Sequence, residues 1–142
     1  MATNTSAIFT RIPKVGVATL TAANTARDGS GTITTIMAGA ADGSRCDQIT
    51  FMSAQATVGA SANNVMRVWR SIDTGTTWYL YDELAESGLT SSQTAAGAKS
   101  VFTYPNRIFL KDTTHLIGVT MGIRASAADD HDVIAEGGDF TA

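Results

Sequence analysis

The 142-residue chain has one cysteine, two prolines and no apolar run long enough to cross a membrane as a helix. Cys46 alone can form neither an internal disulfide nor a zinc site. Ten Lys and Arg stand against 13 Asp and Glu, for a net charge of −3, and no basic block occurs. A nucleic-acid binder that relies on phosphate contacts is therefore not expected. The N-terminal MATNTSAIFTRIPK lacks a charged segment followed by an apolar one, so no secretory signal is expected. Synthesis in a reducing cytoplasm is the default. Leu, Glu and Lys are scarce, which argues against a helical bundle.

Ala, Thr and Ser are abundant, at 54 residues together, whereas Leu, Ile, Val and Phe number only 29. That is enough for one thin core and little more. A charge-poor, turn-rich chain of this kind reads as all-β. Residues 1–13 are polar and without period up to Pro13, and read as an extended N-terminal arm. Simple disorder is the competing reading. Ile8, Phe9 and Ile12 favour docking, because sizeable apolar side chains in a tail need a cover. Residues 14–142 read as one domain.

Short strands follow, near 14–21, Thr32–Met37 and 45–54. Asn24–Gly31 and Ala38–Ser44 form turn clusters between them. Val65–Ile72 alternates, with Met66, Val68, Arg70 and Ile72 on one face and Val65, Arg67, Trp69 and Ser71 on the other. Asp73-Thr74-Gly75-Thr76 turns the chain into a return strand carrying Trp78, Leu80 and Asp82 opposite Tyr79 and Tyr81. A short helical stretch at Asp82–Glu86 is a weak alternative. Residues 86–98 read as a loop, Pro105-Asn106 as a turn, and Ile108–Leu110 as a short strand. His115–Ser126 reads as a long alternating strand, Ala127–Asp132 as a loop and Val133–Ala135 as the last strand. Eight or nine strands without a βαβ period fit an antiparallel β-sandwich, most simply a jelly roll.

Large side chains on both faces of the Trp69/Trp78 hairpin suggest two covers, the core and a neighbouring subunit. Arg67, Trp69, Arg70, Trp78, Tyr79 and Tyr81 are the candidate interface residues, since Trp, Tyr and Arg are enriched at interfaces. A sugar-stacking platform built on Trp69, Trp78 and Tyr81 is the weaker reading. Asp129, Asp130, His131 and Asp132 are the densest set of ligand-type side chains. Their spacing is not that of a calcium loop, so a solvated loop tip is expected. Asp28-Gly29-Ser30-Gly31 lacks the lysine and helix of a phosphate loop. No nucleophile signature surrounds Cys46 or the serines. Neither a catalytic site nor a cofactor is expected.

The segments KVGVATLTAANTARDGSGTITTIMAGAADGSRCDQI, VMRVWRSIDTGTTWYLYDELA and VIAEGGDF resemble those of a family of small bacteriophage virion proteins. The likeness spans roughly residues 15–140. It implies a virion structural component, made in the host cytoplasm, and assigns no functional residue. A capsid decoration (cement) protein is the first expectation. It would be a homo-oligomer, most simply a trimer, whose partners are itself and the major capsid protein. A tail, baseplate or head-fibre component is the second expectation, and a carbohydrate-binding module the third. Neither nucleic acid nor membrane is an expected partner.

Overall fold

A computed structural model describes residues 10–54, 60–92 and 94–140. The chain is an antiparallel β-sandwich of two four-stranded sheets. Its strands are β1 (Thr10–Leu20), β2 (Thr34–Ala38), β3 (Ser44–Ser53), β4 (Asn64–Ser71), β5 (Tyr79–Glu86), β6 (Lys99–Leu110), β7 (Leu116–Met121) and β8 (His131–Phe140). Sheet A has the order β1-β8-β3-β6 and sheet B the order β2-β7-β4-β5. The pairs are nested. β1 pairs with β8, β2 with β7, β3 with β6 and β4 with β5, so the first half of the chain pairs with the second half in reverse.

The core lies between the sheets and follows directly from two-residue alternation. Ile49 and Phe51 of β3 and Val133 and Ala135 of β8 point inward from sheet A. Met66 and Val68 of β4 and Ile117, Val119 and Met121 of β7 meet them from sheet B. Phe51 and Phe102 pack with ring centroids 5.6 Å apart. Both prolines sit in edge strands of sheet A, Pro13 in β1 and Pro105 in β6, where a missing N–H costs no ladder bond.

Several elements differ from the sequence reading. β1 already begins at Thr10, so Ile12 and Pro13 belong to a strand, while Ile8 and Phe9 lie outside the described residues. Asp82–Glu86 is strand, because its residues continue the β5 ladder against β4. Pro105-Asn106 is a bulge and not a turn: Cys46 pairs with Ile108 and Gln48 with Thr103, which leaves four β6 residues opposite one in β3. Arg107 takes φ 59° there. β8 is far longer than Val133–Ala135, because β1 and β3 pair with it along its length.

β7 ends at Met121, where the Asn64 side chain caps the backbone that follows and shares the Gly122 N–H with the Val65 carbonyl. Asn64 Oδ1 accepts the N–H groups of Val65, Gly122 and Ile123 at 2.8, 3.0 and 2.9 Å. Asn64 Nδ2 donates to the Ile123 carbonyl at 2.9 Å. The chain turns there and does not extend to Ser126.

Candidate interaction surface

The two sheets differ on their outer faces. The outer face of sheet B is covered by the chain itself. Residues 21–33, between β1 and β2, cross over it and are tied down by backbone and side chains. The Asn24 N–H donates to the Met121 carbonyl at 2.8 Å. Asn24 Nδ2 donates to the carbonyls of Ser30 and Thr32 at 3.0 and 3.1 Å, which holds the loop's own curve. Arg67 reaches out of β4 and donates from Nη1 to the Asn24 carbonyl at 3.0 Å. Glu83 stands between Arg67 (3.5 Å) and Arg27 of the loop (2.7 Å).

Under this cover lies Trp69, with no exposed surface. Its indole Nε1 donates to Thr120 Oγ1 at 2.9 Å, so the one polar atom of the ring is satisfied. Beside it, Ile33 and the Trp78 ring lie over Gly118. A Cβ there would come within 2.4 Å of Ile33 Cγ2 and 2.7 Å of the Trp78 ring, so only glycine fits.

This corrects the interface expected at the hairpin. Trp69 and Arg67 face a second cover, but that cover is the chain's own β1–β2 loop. Trp78 is half-buried against the same face. Arg70 points the other way and bridges the sheets: its Nη2 donates to the Phe109 carbonyl of β6 at 2.8 Å. Tyr79 and Tyr81 are exposed, and Tyr81 packs edge-on against Tyr104 of β6. The six hairpin candidates therefore do not form one surface. A sugar platform of Trp69, Trp78 and Tyr81 loses its central ring.

Among the described residues, no segment covers the outer face of sheet A. One register row crosses all four of its strands: Val17 of β1, Ile134 of β8, Thr50 of β3 and Val101 of β6. Val17 is 68% exposed, Ile134 42% and Val101 38%. Val15 and Met52, also exposed, flank the row on β1 and β3. The row carries no charge. Charged and polar groups border it, with Glu136 and Gln48 on one side and Asp132 and Lys99 on the other.

Further along the same face, Phe109 and Phe140 stack with centroids 6.1 Å apart. Arg45 and Arg107 both reach Asp47, at 3.2 and 3.3 Å. Phe109, Phe140, Arg45 and Arg107 line a shallow cleft of about 310 Å³ together with Asp42. Phe109 was not among the sequence candidates. The signal was present, since Ile108 and Leu110 point inward and the residue between them must point out.

The remaining polar side chains are held in separate local roles. Asp129, Asp130, His131 and Asp132 do not converge. Asp129 accepts backbone N–H groups from Ala62, Ala125 and Ser126 at 2.7, 2.8 and 3.0 Å. Asp130 pairs with Arg124 at 2.6 Å, and Asp132 accepts the Thr19 hydroxyl at 2.6 Å. His131 meets Glu86 at 2.6 Å. Asp129 and His131 are buried, so the expected solvated tip is instead a packed end of the sandwich. Among the described residues, no group of three or more His, Cys, Asp or Glu is placed to hold a metal ion. Burial pushes the Cys46 thiol up to about 12, and its Sγ contacts the Gln48 carbonyl at 3.6 Å. A thiol held protonated in this way is a poor nucleophile.

No protein-family model matches the chain, and no curated protein does.

Proposed function

We propose that the chain is a structural component of a bacteriophage particle, in the first place a capsid decoration (cement) protein. It would act by packing the outer face of sheet A against a second copy of itself, and the assembled oligomer, most simply a trimer, would bind the major capsid protein. The observation that carries this reading is the asymmetry of the two outer faces. Sheet B is closed by the β1–β2 loop, whereas an uncharged row of Val17, Ile134, Thr50 and Val101 crosses sheet A with no cover among the described residues. Exposed apolar surface of that continuity marks an interaction site. The nested strand order supports the jelly-roll reading, an architecture shared by viral capsid and lectin domains. The phage assignment rests on the motif resemblance in the sequence.

Repetition explains how such a protein would strengthen a shell. Each bound copy stabilises the lattice state that it binds by mass action. Two measurements test the proposal. Quantitative mass spectrometry of purified particles should find the protein in hundreds of copies. Tens or fewer would move it to the tail, baseplate or a head fibre, and absence would overturn the virion reading. Val17→Lys should leave the folded monomer intact and abolish self-association in analytical ultracentrifugation. Unchanged association would remove sheet A from the interface. Deleting residues 1–9 spares β1 and should weaken particle binding if the segment with Ile8 and Phe9 docks on the shell.

A further inference from the structure

One end of the sandwich is joined by a buried group of polar residues that the proposed interface does not use. His131, the first residue of β8, is 1% exposed. Its Nε2 lies 2.6 Å from Glu86 Oε1, at the last residue of β5. Its Nδ1 lies 2.6 Å from the backbone carbonyl of Asp129. Glu86 Oε2 accepts the Ser100 hydroxyl at 2.5 Å, near the start of β6. β5 belongs to sheet B, and β6 and β8 belong to sheet A. The group is therefore a cross-sheet tie that holds an edge strand against the opposite sheet.

Hydrogen-bond chemistry dictates its protonation. A backbone carbonyl only accepts, so Nδ1 must carry a proton. An ionised carboxylate also only accepts, so the proton between Nε2 and Glu86 must be present too. A neutral imidazole beside an ionised Glu86 can satisfy one of these acceptors but not both. We propose that this shared His131–Glu86 proton is a latch: while it is bound, β5 is fastened to β6 and β8, and its loss as pH rises opens this end of the sandwich. Deprotonation would leave either the Glu86 carboxylate or the Asp129 carbonyl facing an imidazole lone pair, an unpaired polar contact that is costly in a low-dielectric site.

The groups around the ring are few. Glu86 approaches from β5, Ser100 from β6 through Glu86, and Asp129 from the 3₁₀ turn Ala127–Asp129. The Asp129 carboxylate itself is occupied by backbone N–H groups. Leu20 of β1 and Ser53 of β3 hold the paired register positions and do not ionise in this range. Burial opposes charge on the ring, but the Glu86 bond and the Asp129 carbonyl outweigh it and hold the His131 pKa above its ordinary 6.5. The sign follows: the stabilisation is complete below about 6.5 and is lost as pH rises through the folded value. A cleft of about 480 Å³ adjoins the latch, with Glu86, Ser87, Asn63 and Ile123 in its wall, and would widen as β5 lifts.

The test combines an NMR titration of the His131 ring with amide exchange protection factors measured across pH. The ring should titrate above 6.5. Protection at 84–86, 99–101 and 131–133 should fall with the same midpoint, about ten-fold for each unit by which the folded pKa exceeds the unfolded one. Mid-strand amides such as Val119 should keep theirs. Glu86→Gln should lower the ring midpoint and remove the pH step at those ends. A wild-type ring that titrates at or below 6.5, or protection that does not respond to pH, overturns the latch. So does a Glu86→Gln protein that keeps the step. Should that variant fail to fold, the wild-type titration and exchange data decide alone.

Discussion

Asp129 carries more of the fold than its place in a run of acidic residues suggests. Its carboxylate closes three backbone donors in a buried corner, two of them in the 125–126 turn and one at Ala62. Burial works against its charge, but the Ala62, Ser126 and Ala125 N–H groups outweigh burial and hold its pKa below the ordinary 3.8. Its contribution is therefore present above 3.8 and is lost as pH falls through the lower folded value. Asp129→Asn should cost about 2 kcal/mol at neutral pH, because an amide that must place its NH₂ group satisfies fewer of these donors. Urea unfolding measures that. The sequence shows four ligand-type residues side by side, but Asp129 closes a 3₁₀ turn, Asp130 follows it, and His131 and Asp132 open β8, where side chains alternate between faces. His131 turned inward to Glu86, Asp132 outward to Thr19. A different residue-scale cost lies at Thr74, a β-branched residue at φ 61° beside Gly75 at φ 82°. Thr74→Asn should stabilise by about 0.5–1 kcal/mol, since Asn tolerates the left-handed region. A higher midpoint in the same urea experiment would confirm it.

Among the elements, strands with strong alternation were legible and their ends were not. The strand read at Val65–Ile72 is there as Asn64–Ser71, followed by the Asp73–Thr76 turn, because inward Met66 and Val68 alternate with Arg67 and Trp69, while Ile72 falls outside it and is exposed. The β6 bulge was not legible. Pro105-Asn106 is a turn signal taken locally, yet pairing with β3 on both sides carries the strand through it. The cover over Trp69 was hidden for another reason. It is a loop of mostly small residues, held by hydrogen bonds with Ile33 as its one large apolar side chain. Nothing in its composition announces that it shields a tryptophan. Asn24→Ala should therefore loosen the loop and cost about 2 kcal/mol, through the lost Ser30 and Thr32 bonds. Trp69 fluorescence should shift to the red as water reaches the ring. Gly118→Ala should disturb the same site by pushing Ile33 and Trp78 outward, and the emission change would report it.

For the molecule as a whole, the all-β class and the sandwich were readable from composition and strand spacing. The choice of outer face was not. Large aromatic residues drew attention to the β4–β5 hairpin, whereas the exposed apolar row on sheet A is built from single residues on four distant strands. Val17, Thr50, Val101 and Ile134 become neighbours only through register, which no local pattern encodes. Because the row lies away from the core, Val17→Lys should leave the melting temperature nearly unchanged while changing the oligomer, and calorimetry beside ultracentrifugation separates the two.

The position of β8 has a consequence for how the protein is made. The last of the described strands is interior to sheet A, between β1 and β3, and Leu20 waits for His131 as Thr10 waits for Phe140. On the ribosome, β1 and β3 therefore emerge with their shared partner still untranslated. The sheet cannot close until β8 has emerged, and contacts of such long sequence separation make closure slow. The face that would assemble copies is built on that sheet. On the proposed function, self-recognition would thus wait until β8 has been made and has taken its place between β1 and β3.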